Sequence, residues 1–448
     1  MGRTLLVVWC TVTLMSTPDE HRRLGISARA WVIWAVVMTA YFVGYFHRLA
    51  PGVLREPLFD DFGLSATAFA HVASAYFYAY VLLQIPAGAL ADVLGPRWLI
   101  AAGGGLAGLA SLLFAAAPNV AVLFIARLCV GAGVSVVFLS LLKLVAVWFP
   151  ERLFATMTGL SAGLGNLGGL AAQTPLHIAV ITFGWRGSFA AVGLTGVAIA
   201  IACFAVVRDR PRPPSGRYEP SVQATPTATD GIIGTGRVGG TVLPALRAAL
   251  LNRRTWPPFI VFMGYYGAFI TLTGSWGQGY LVTIYGLDSG HATDLLMGAV
   301  LGFTVGGVGI GKLSDAVRRR RVPSVIVGGV TVSAWVALLA APAWLPVSLT
   351  VVLIGAGSVV PMITLACGKE VNHPQYSGTA TGVVNIGGFL GAALVPLGIG
   401  AVFDYAGGGI DDAVLYRVAF MLCLFSVLIA WAASWRMTET YARNVYFD

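Results

Sequence analysis

Twelve apolar stretches dominate this 448-residue chain, and each is long enough to cross a lipid bilayer as a helix. A spanning helix needs about 20 consecutive apolar residues. Because lipid offers no partners to backbone N–H and C=O groups, continuous apolar runs of this length are expected to be helical. The sequence therefore predicts an all-α membrane protein with twelve transmembrane helices, at approximately 31–56, 66–90, 97–117, 120–147, 155–178, 187–207, 256–284, 291–311, 323–341, 346–367, 378–402 and 415–435.

The composition excludes an ordinary soluble protein. The chain is 57% hydrophobic and only 10% charged, whereas soluble domains carry about 25% charged residues. With both termini in the cytoplasm, 22 of the 28 lysines and arginines lie on the cytoplasmic side and four on the outer side. This bias is the positive-inside rule. It predicts a multi-pass protein of the bacterial inner membrane with cytoplasmic termini, and it accounts for the net charge of +9 without a nucleic-acid partner.

The chain contains an internal repeat. The segment 88–97, GALADVLGPR, recurs in weaker form at 311–318 as GKLSDAVR, and its glycine and aspartate are both displaced by 223 residues. The pair Thr158-Gly159 returns at the same displacement as Thr381-Gly382. Two matches at one offset indicate a duplicated chain. Repeats of this kind are typical of secondary transporters, and they predict two pseudo-symmetric six-helix bundles.

The repeat and a change in composition predict the domain boundaries. Apolar periodicity stops after the sixth stretch, where a basic segment rich in Pro, Gly and Thr begins, which is typical of a flexible linker. Near the N-terminus, residues 4–14 are too short to span a bilayer, so either Met15 is the true start or the first 28 residues form a loose tail. The predicted organisation is a cytoplasmic tail 1–28, a six-helix bundle 29–207, a linker 208–254, a second bundle 255–436 and a tail 437–448.

The repeated loops are predicted to act as conformational latches. An aspartate that ends one helix beside the N-terminus of another accepts backbone hydrogen bonds and complements the helix dipole. We assign Asp92 and Asp315 to this gating role, with Arg97 as a cationic partner. The second loop, which carries four consecutive arginines at 318–321, has an alternative role as a topology anchor.

These motifs resemble those of the major facilitator superfamily. The segment 88–97 is similar to the family's signature loop between helices 2 and 3, and 127–133, RLCVGAG, is similar to its arginine-glycine pattern on helix 4. The resemblance covers nearly the whole chain. It implies a major facilitator fold with a central cavity, rocker-type alternating access and a monomeric state. It also implies a role for Arg127 in proton coupling; the alternative is a structural arginine bonded to carbonyls of a neighbouring helix.

The first predicted helix is similar to that of the organic anion:cation symporter branch, in which an arginine at the position of Arg48 receives a carboxylate or phosphate. Tyr41, Tyr45 and Arg48 lie at positions i, i+4 and i+7 of one helical face. A guanidinium offers a planar fork that matches two anionic oxygens. His47 departs from the branch, which commonly has an acidic residue there. The alternative is that Arg48 extends from near the helix end to the outer interface.

The fifth predicted helix, at 159–169, resembles the asparagine-glycine signature of nitrate/nitrite transporters. The two arginines that grip nitrate in those proteins are replaced here by Gln84 and Gly307. A small anion would then lose its hydration without gaining ionic contacts to replace it, so nitrate is disfavoured as a substrate. Asn166 is still expected near the middle of the cavity, and the alternative is a buried asparagine that joins two helices.

Aromatic residues divide into two predicted groups. Tyrosines of the second and seventh helices are assigned to interfacial belts, as aromatic residues near helix ends usually are. Trp276 and Gln278 lie between glycines, where irregular backbone can line a cavity. With Gln84, they complete the predicted substrate-binding set around Arg48.

The sequence thus predicts a secondary transporter of a small organic anion, working by alternating access with proton-coupled uptake. One rival is a transporter of amino acids, peptides or other neutral or zwitterionic solutes, or an exporter. Another is a membrane sensor that has kept the fold but transports nothing, since a fold does not fix a function. No metal-ligand spacing, nucleotide-binding loop or nucleophile constellation occurs in the sequence, so neither an enzyme, a cofactor nor a metal is expected.

Overall fold

The computed structural model describes residues 27–150, 153–210, 242–406 and 409–447. These residues form helices joined by short connections, and no strand occurs among them. The helices are α1 (Ala28–Leu49), α2 (Pro51–Phe62), α3 (Ala66–Leu94), α4 (Pro96–Ala115), α5 (Val120–Ser135), α6 (Val137–Trp148), α7 (Phe154–Ala171), α8 (Thr174–Val206), α9 (Val242–Leu251), α10 (Trp256–Thr271), α11 (Gly277–Tyr285), α12 (Ser289–Ala316), α13 (Arg321–Ala340), α14 (Val347–Gly357), α15 (Pro361–Glu370), α16 (Ser377–Ala406) and α17 (Asp412–Trp435).

Several predicted spans are interrupted helices. Pro51 divides the first span into α1 and α2, because proline has no N–H to continue the helix. The fourth span consists of α5 and α6, and the tenth of α14 and α15. In the seventh, a π-helical turn at Leu272–Trp276 joins α10 to α11. Such turns frequently occur at functional sites.

By length and apolar composition, the part of the chain that the structure describes has eleven helical stretches able to cross a membrane. The sequence predicts twelve. The difference lies in one stretch of 51 residues, Thr156–Val206, which runs through both α7 and α8. The backbone leaves the helical region at Gln173, with φ −97° and ψ −119°, which separates α7 from α8, and again inside α8 at Gly184, with φ 71° and ψ 162°. Gly184 lies between the predicted spans 155–178 and 187–207, so the stretch divides into two spans at this kink. The fold class is therefore as predicted, and the count reaches twelve when this stretch is taken as two spans.

The two halves repeat the same packing. In the first half, α1 packs on α7, α3 on α5 and α4 on α8. In the second half, α10 packs on α16, α12 on α14 and α13 on α17. When the helices are numbered by predicted span, the first half contains the pairs 1–5, 2–4 and 3–6. The second half contains the corresponding pairs 7–11, 8–10 and 9–12, each shifted by six spans. This correspondence is the structural form of the sequence repeat.

Small residues bring these helices together. A Cβ atom at Gly302 of α12 would lie 2.4 Å from the carbonyl oxygen of Val352 on α14, and one at Gly355 would lie 1.9 Å from that of Ala299. Both distances are too short for any side chain. Because lipid supplies no hydrophobic drive between helices, such close backbone contact provides much of the packing energy.

The halves meet along α3 and α16, and their contact is closed at the end where α3 begins. There the carboxylate of Asp404 accepts hydrogen bonds from the backbone N–H groups of Ala66 and Thr67, both at 2.9 Å. Nearby, Gln173 donates to the carbonyl oxygen of Thr273 at 2.9 Å, and Thr174 donates to Asp294 at 2.6 Å. These contacts join the two halves at one end of the bundle.

The predicted linker contains an ordered part. Residues 211–241 lie outside the described residues, as do residues 1–26 of the predicted N-terminal tail. The last part of the predicted linker forms α9, which packs on α16. In the C-terminal tail, the N–H of Val445 donates to the carbonyl oxygen of Glu370 at 2.8 Å, so this tail packs against the end of α15.

Candidate functional site

Arg48 occupies the last turn of α1, immediately before the break at Pro51. Its side chain is only 6% exposed and points between the two halves. A buried charge needs polar partners, because desolvation of an ion is costly. The surroundings of this guanidinium therefore define the candidate site.

Three tyrosine hydroxyls accept hydrogen bonds from Arg48. Nε donates to Tyr76 at 3.2 Å, Nη2 donates to Tyr80 at 3.4 Å, and Nη1 donates to Tyr266 at 3.4 Å. Tyr76 and Tyr80 belong to α3, whereas Tyr266 belongs to α10 in the other half. These contacts are longer than the usual 2.9–3.0 Å, and all three acceptors are neutral. A carboxylate would form shorter and stronger hydrogen bonds with the same donors.

Aromatic faces supply further contacts to the guanidinium. The Cζ atom of Arg48 lies 4.3 Å from the ring centre of Tyr45, 5.3 Å from that of Tyr80 and 5.2 Å from that of Phe389. These distances are within the range of cation–π attraction. The rings also restrict the orientation of the guanidinium plane, so its N–H donors point in fixed directions.

A cavity adjoins Arg48 between the two halves. It has about 290 Å³ of space not filled by atoms, including the space at its mouth. Its polar lining comes from Tyr45, Arg48, Asn166 and Tyr266, and the rest of its wall is small or apolar, formed by Leu49, Gly169, Phe269, Ile270, Val300 and Phe303. An apolar pocket with a few convergent polar groups is the usual form of a small-molecule site.

Several of the residues predicted from the sequence lie at this cavity. Tyr45, Arg48 and Asn166 line it together. Tyr41 lies one turn away: its ring centre is 5.2 Å from that of Tyr45, and it stacks on Phe138 at 4.9 Å. The single helical face proposed for Tyr41, Tyr45 and Arg48 is thus a continuous set of contacts.

Three other predicted residues do not line this cavity. Trp276 is buried near the closed end of the bundle, where its Nε1 donates to the carbonyl oxygen of Pro396 at 3.1 Å and its ring stacks on Phe403 at 5.1 Å. Gln278 is buried in α11. Gln84 lies in α3, and its Oε1 atom is buried without a hydrogen-bond partner among the described residues. Their role in substrate binding stays a prediction.

The predicted site did not include Tyr76, Tyr80 or Tyr266, which were assigned to interfacial belts. The sequence did contain one indication that these tyrosines act together. Tyr76 and Tyr80 are four residues apart and therefore share one face of α3. The information missing from the sequence was that this face, together with α10, meets the end of α1.

Arg127 of α5 forms a second buried cationic position. It is 2% exposed, its Nη2 donates a long hydrogen bond of 3.5 Å to the carbonyl oxygen of Ala73, and its Cζ lies 5.5 Å from the ring centre of Tyr76. Nε and Nη1 are buried and have no hydrogen-bond partner in the described part of the chain. Arg127 is thus connected to Arg48 through Tyr76, which contacts both.

The residues assigned to gating lie away from the cavity. The side chain of Asp92 lies outside the described residues. The backbone N–H of Arg97 donates to Asp209 at 2.8 Å, and its Nε donates to the carbonyl oxygen of Phe204 at 2.9 Å, at the end of α8.

The second loop is built around Arg320. Its guanidinium pairs with Asp315 at 2.6 Å and with Glu370 at 2.9 Å, while its backbone N–H donates to Glu439 at 2.6 Å. This loop is therefore tied to the end of α15 and to the C-terminal tail by ion pairs and hydrogen bonds.

Comparison with known proteins gives related transporters. The chain is 27% identical over 300 residues to "Probable sulfoacetate transporter SauU" of Cupriavidus necator, covering 64% of this chain and 66% of that protein. It is 23% identical over 430 residues to "Probable galactarate/D-glucarate transporter GudP" of Bacillus subtilis (strain 168), covering 86% and 88%. In the first three matches, this chain covers 62–66% of the relative's own length, which is less than two thirds.

A solved structure with the same fold is that of a bacterial homologue of the human lysosomal transporter Spinster, in an inward-facing and unoccupied conformation. It superposes with a TM-score of 0.68 at 16% identity, covering 92% of this chain and 97% of that one. The family model of the Major Facilitator Superfamily matches residues 33–396. With the repeated packing of its two halves and a cavity between them, the chain belongs to the Major Facilitator Superfamily.

Proposed function

We propose that this protein is a secondary transporter that moves a small organic anion across the inner membrane by alternating access. The observation that supports the proposal is the buried Arg48 guanidinium, which faces a cavity between the halves and contacts only neutral acceptors. A carboxylate entering this cavity gains charge-assisted hydrogen bonds that the tyrosines do not provide.

The position of the site at the boundary between the halves suits this mechanism. Arg48 belongs to the first half and Tyr266 to the second, so their contact depends on how the halves are arranged. An anion held by both would respond to, and influence, the change between the two arrangements. Such differential contact is what a ligand needs to shift a conformational equilibrium.

The names of the relatives support an organic acid as substrate. Those relatives are named for sulfoacetate and for galactarate or D-glucarate, and each of these compounds has a short carbon skeleton with acidic groups at its ends. Phe269, Ile270 and Val300 in the cavity wall match a short skeleton, while Asn166 and Tyr45 offer hydrogen bonds to hydroxyl groups.

Proton-coupled uptake is the transport mode that the family resemblance implies, and we retain it here with Arg127 as the coupling residue. The contact of Tyr76 with both Arg127 and Arg48 provides a physical connection between coupling and substrate binding. With the predicted orientation, the closed end of the bundle faces outward, so the proposed state is inward-facing. A monomer is what the family resemblance implies. In this orientation Asp92 and Asp315 lie near the cytoplasmic ends of α3 and α12, and we propose that they gate the cavity on that side.

The proposal is tested by transport into proteoliposomes. Purified protein is offered a panel of sulfoacetate, D-glucarate, other carboxylates, neutral amino acids, short peptides and nitrate, and uptake is measured together with internal pH and current. Saturable uptake of one acidic class supports the proposal. Uptake of zwitterions alone would support the neutral-solute rival. Silence across the panel, both in empty liposomes and in liposomes preloaded with the same solute, would support the sensor.

The closed end gives a separate prediction about the gate. Asp404→Asn removes the charge and also one of the two oxygens that accept hydrogen bonds from N–H groups of the opposite half. Because hydrogen bonds to a charged group are worth about 1.5–3 kcal/mol and neutral ones about 1 kcal/mol, the outward-open state should become about fivefold more populated. We expect a cysteine placed at Val300, in a background without native cysteines, to react correspondingly faster with an impermeant thiol reagent added outside.

The matched control for this prediction is Asp411→Asn. Asp411 also accepts backbone hydrogen bonds at a helix N-terminus, from Ala413 and Val414, but within its own half. Its substitution should leave the labelling rate at Val300 unchanged. Equal labelling in both variants and the parent protein would contradict a gating role for Asp404.

A further inference from the structure

The buried charges near the cavity are all positive. Arg48 and Arg127 are 6% and 2% exposed, and no carboxylate of the described residues lies within ion-pair distance of either. Their partners are three tyrosine hydroxyls, one backbone carbonyl oxygen and aromatic rings. Each described Asp and Glu lies within six residues of a helix end or in a connection.

His47, the residue before Arg48, is a further buried titratable group. It is 1% exposed, its Nε2 lies 3.2 Å from the hydroxyl of Ser111 on α4, and its Nδ1 has no hydrogen-bond partner among the residues that the structure places. Its other neighbours are the rings of Phe46 and Phe189, at 5.7 and 6.1 Å. None of these groups can provide a negative charge.

An uncompensated arginine inside a membrane protein is costly, and the cost rises when water is excluded. When the cavity closes around a bound anion, the anion compensates the cationic charge. When it closes empty, the charge remains unpaired in a low-dielectric interior. The conformational change should therefore be easier with an anion in the cavity than without one.

We propose that this transporter returns across the membrane with an anion bound, and that it therefore exchanges one anion for another faster than it performs net uptake. The inference rests on the proposed function. Because the counter-charge comes from the substrate, the exchanged species on both sides are organic anions of the same class. Net uptake driven by protons is then the slower route, since the carrier must return empty.

The experiment compares proteoliposomes loaded with unlabelled anion against liposomes loaded with buffer. The first probe is radiolabelled D-glucarate, and sulfoacetate is the second; binding of each is first established by an Arg48-dependent thermal shift. Membrane potential is clamped with potassium and valinomycin, and uptake is measured with and without a pH gradient. We expect internal anion to raise the initial rate about tenfold, which corresponds to an activation barrier lower by about 1.4 kcal/mol.

The outcomes separate the two proposals. Binding with equal uptake into loaded and empty liposomes would overturn the exchange inference and leave the proposed function standing. Absence of Arg48-dependent binding by every anion of the panel would overturn both. Stimulation by internal anion that persists without a pH gradient supports exchange.

A substitution at His47 tests independently whether the unpaired positive charge is what slows the return of the empty carrier. His47→Asp introduces a buried carboxylate at the residue before Arg48, so the empty carrier gains an internal counter-charge. We expect the stimulation by internal anion to fall towards onefold and a pH gradient to drive uptake into empty liposomes. His47→Asn, the uncharged control, should keep the stimulation. If His47→Asp folds, binds the anion and keeps the full stimulation, the electrostatic explanation is wrong.

Discussion

Replacement of Arg48 by alanine is expected to lower the affinity for the transported anion at least about 100-fold and to reduce saturable uptake to background. Two hydrogen bonds from a charged donor contribute about 1.5–3 kcal/mol each, and each 1.4 kcal/mol corresponds to a tenfold change in affinity. Loss of both donors therefore exceeds what the remaining hydroxyls of Tyr76, Tyr80 and Tyr266 can replace. The measurement is the concentration dependence of uptake, together with binding to detergent-solubilised protein.

Arg48→Lys should have a smaller effect on affinity, of about tenfold. Lysine keeps the positive charge but lacks the planar fork that binds two oxygens at once. The ammonium is also a poorer match to the rings of Tyr45 and Phe389, which flank the guanidinium. An order of affinities in which Arg exceeds Lys and Lys exceeds Ala would indicate that both charge and shape are used.

Arg55→Ala is the matched control for this series. Arg55 lies in α2, over the rings of Phe59 and Trp276 at 4.9 and 5.4 Å, and does not line the cavity. Its removal changes the net charge by the same amount as Arg48→Ala but should leave anion affinity unchanged. An equal loss in both variants would mean that a general positive field, and not the Arg48 fork, binds the anion. Monodisperse gel filtration establishes that each variant is folded.

The sequence predicted the fold well because the evidence for it is local. Apolar runs and the positions of lysine and arginine depend on the bilayer, which acts on every span separately. The repeat at an offset of 223 residues adds one long-range relation, that of each half to the other. The family match and the repeated packing pairs confirm the all-α major facilitator fold with two related halves.

The site was less predictable because it depends on which helix faces meet. Arg48, Tyr45 and Asn166 were found through a helical face and a motif, and they line one cavity. Tyr266 comes from the second half, 218 residues away, and no local pattern distinguishes it from a tyrosine of the interfacial belt. For Trp276, the flanking glycines indicated irregular backbone, and a π-helical turn is present, but the turn contributes to contacts at the closed end.

The motif on the fourth span has a packing role. A Cβ atom at Gly131 would lie 2.2 Å from the carbonyl oxygen and 2.8 Å from the Cα atom of Tyr76. These are backbone atoms of α3, so they cannot move aside as a flexible side chain would. The glycine of the motif thus sets the distance between α5 and the part of α3 that carries Tyr76.

Gly131→Ala is therefore expected to destabilise the folded protein by about 1–3 kcal/mol, the usual cost of overpacking, and to weaken anion binding because α3 must shift. Both effects are measured on the purified protein, as a lower midpoint of thermal unfolding and a lower anion affinity. Gly163→Ala in α7 is the control, since a Cβ atom there meets nothing within 4 Å. In an open helical position, alanine is favoured over glycine by up to about 1 kcal/mol, so this variant should be as stable as the parent or more so.

The pair of variants also separates packing from chemistry at the site. Gly131→Ala removes no polar group, so any loss of affinity must act through the position of Tyr76 and, through its hydroxyl, of Arg48. A second change, Tyr76→Phe, removes that hydroxyl while leaving the backbone in place. If Gly131→Ala lowers affinity more than Tyr76→Phe does, the α5–α3 contact positions more of the site than this one hydrogen bond. If Gly131→Ala has the stability and affinity of the parent, the close contact at Tyr76 does not exist in the folded protein.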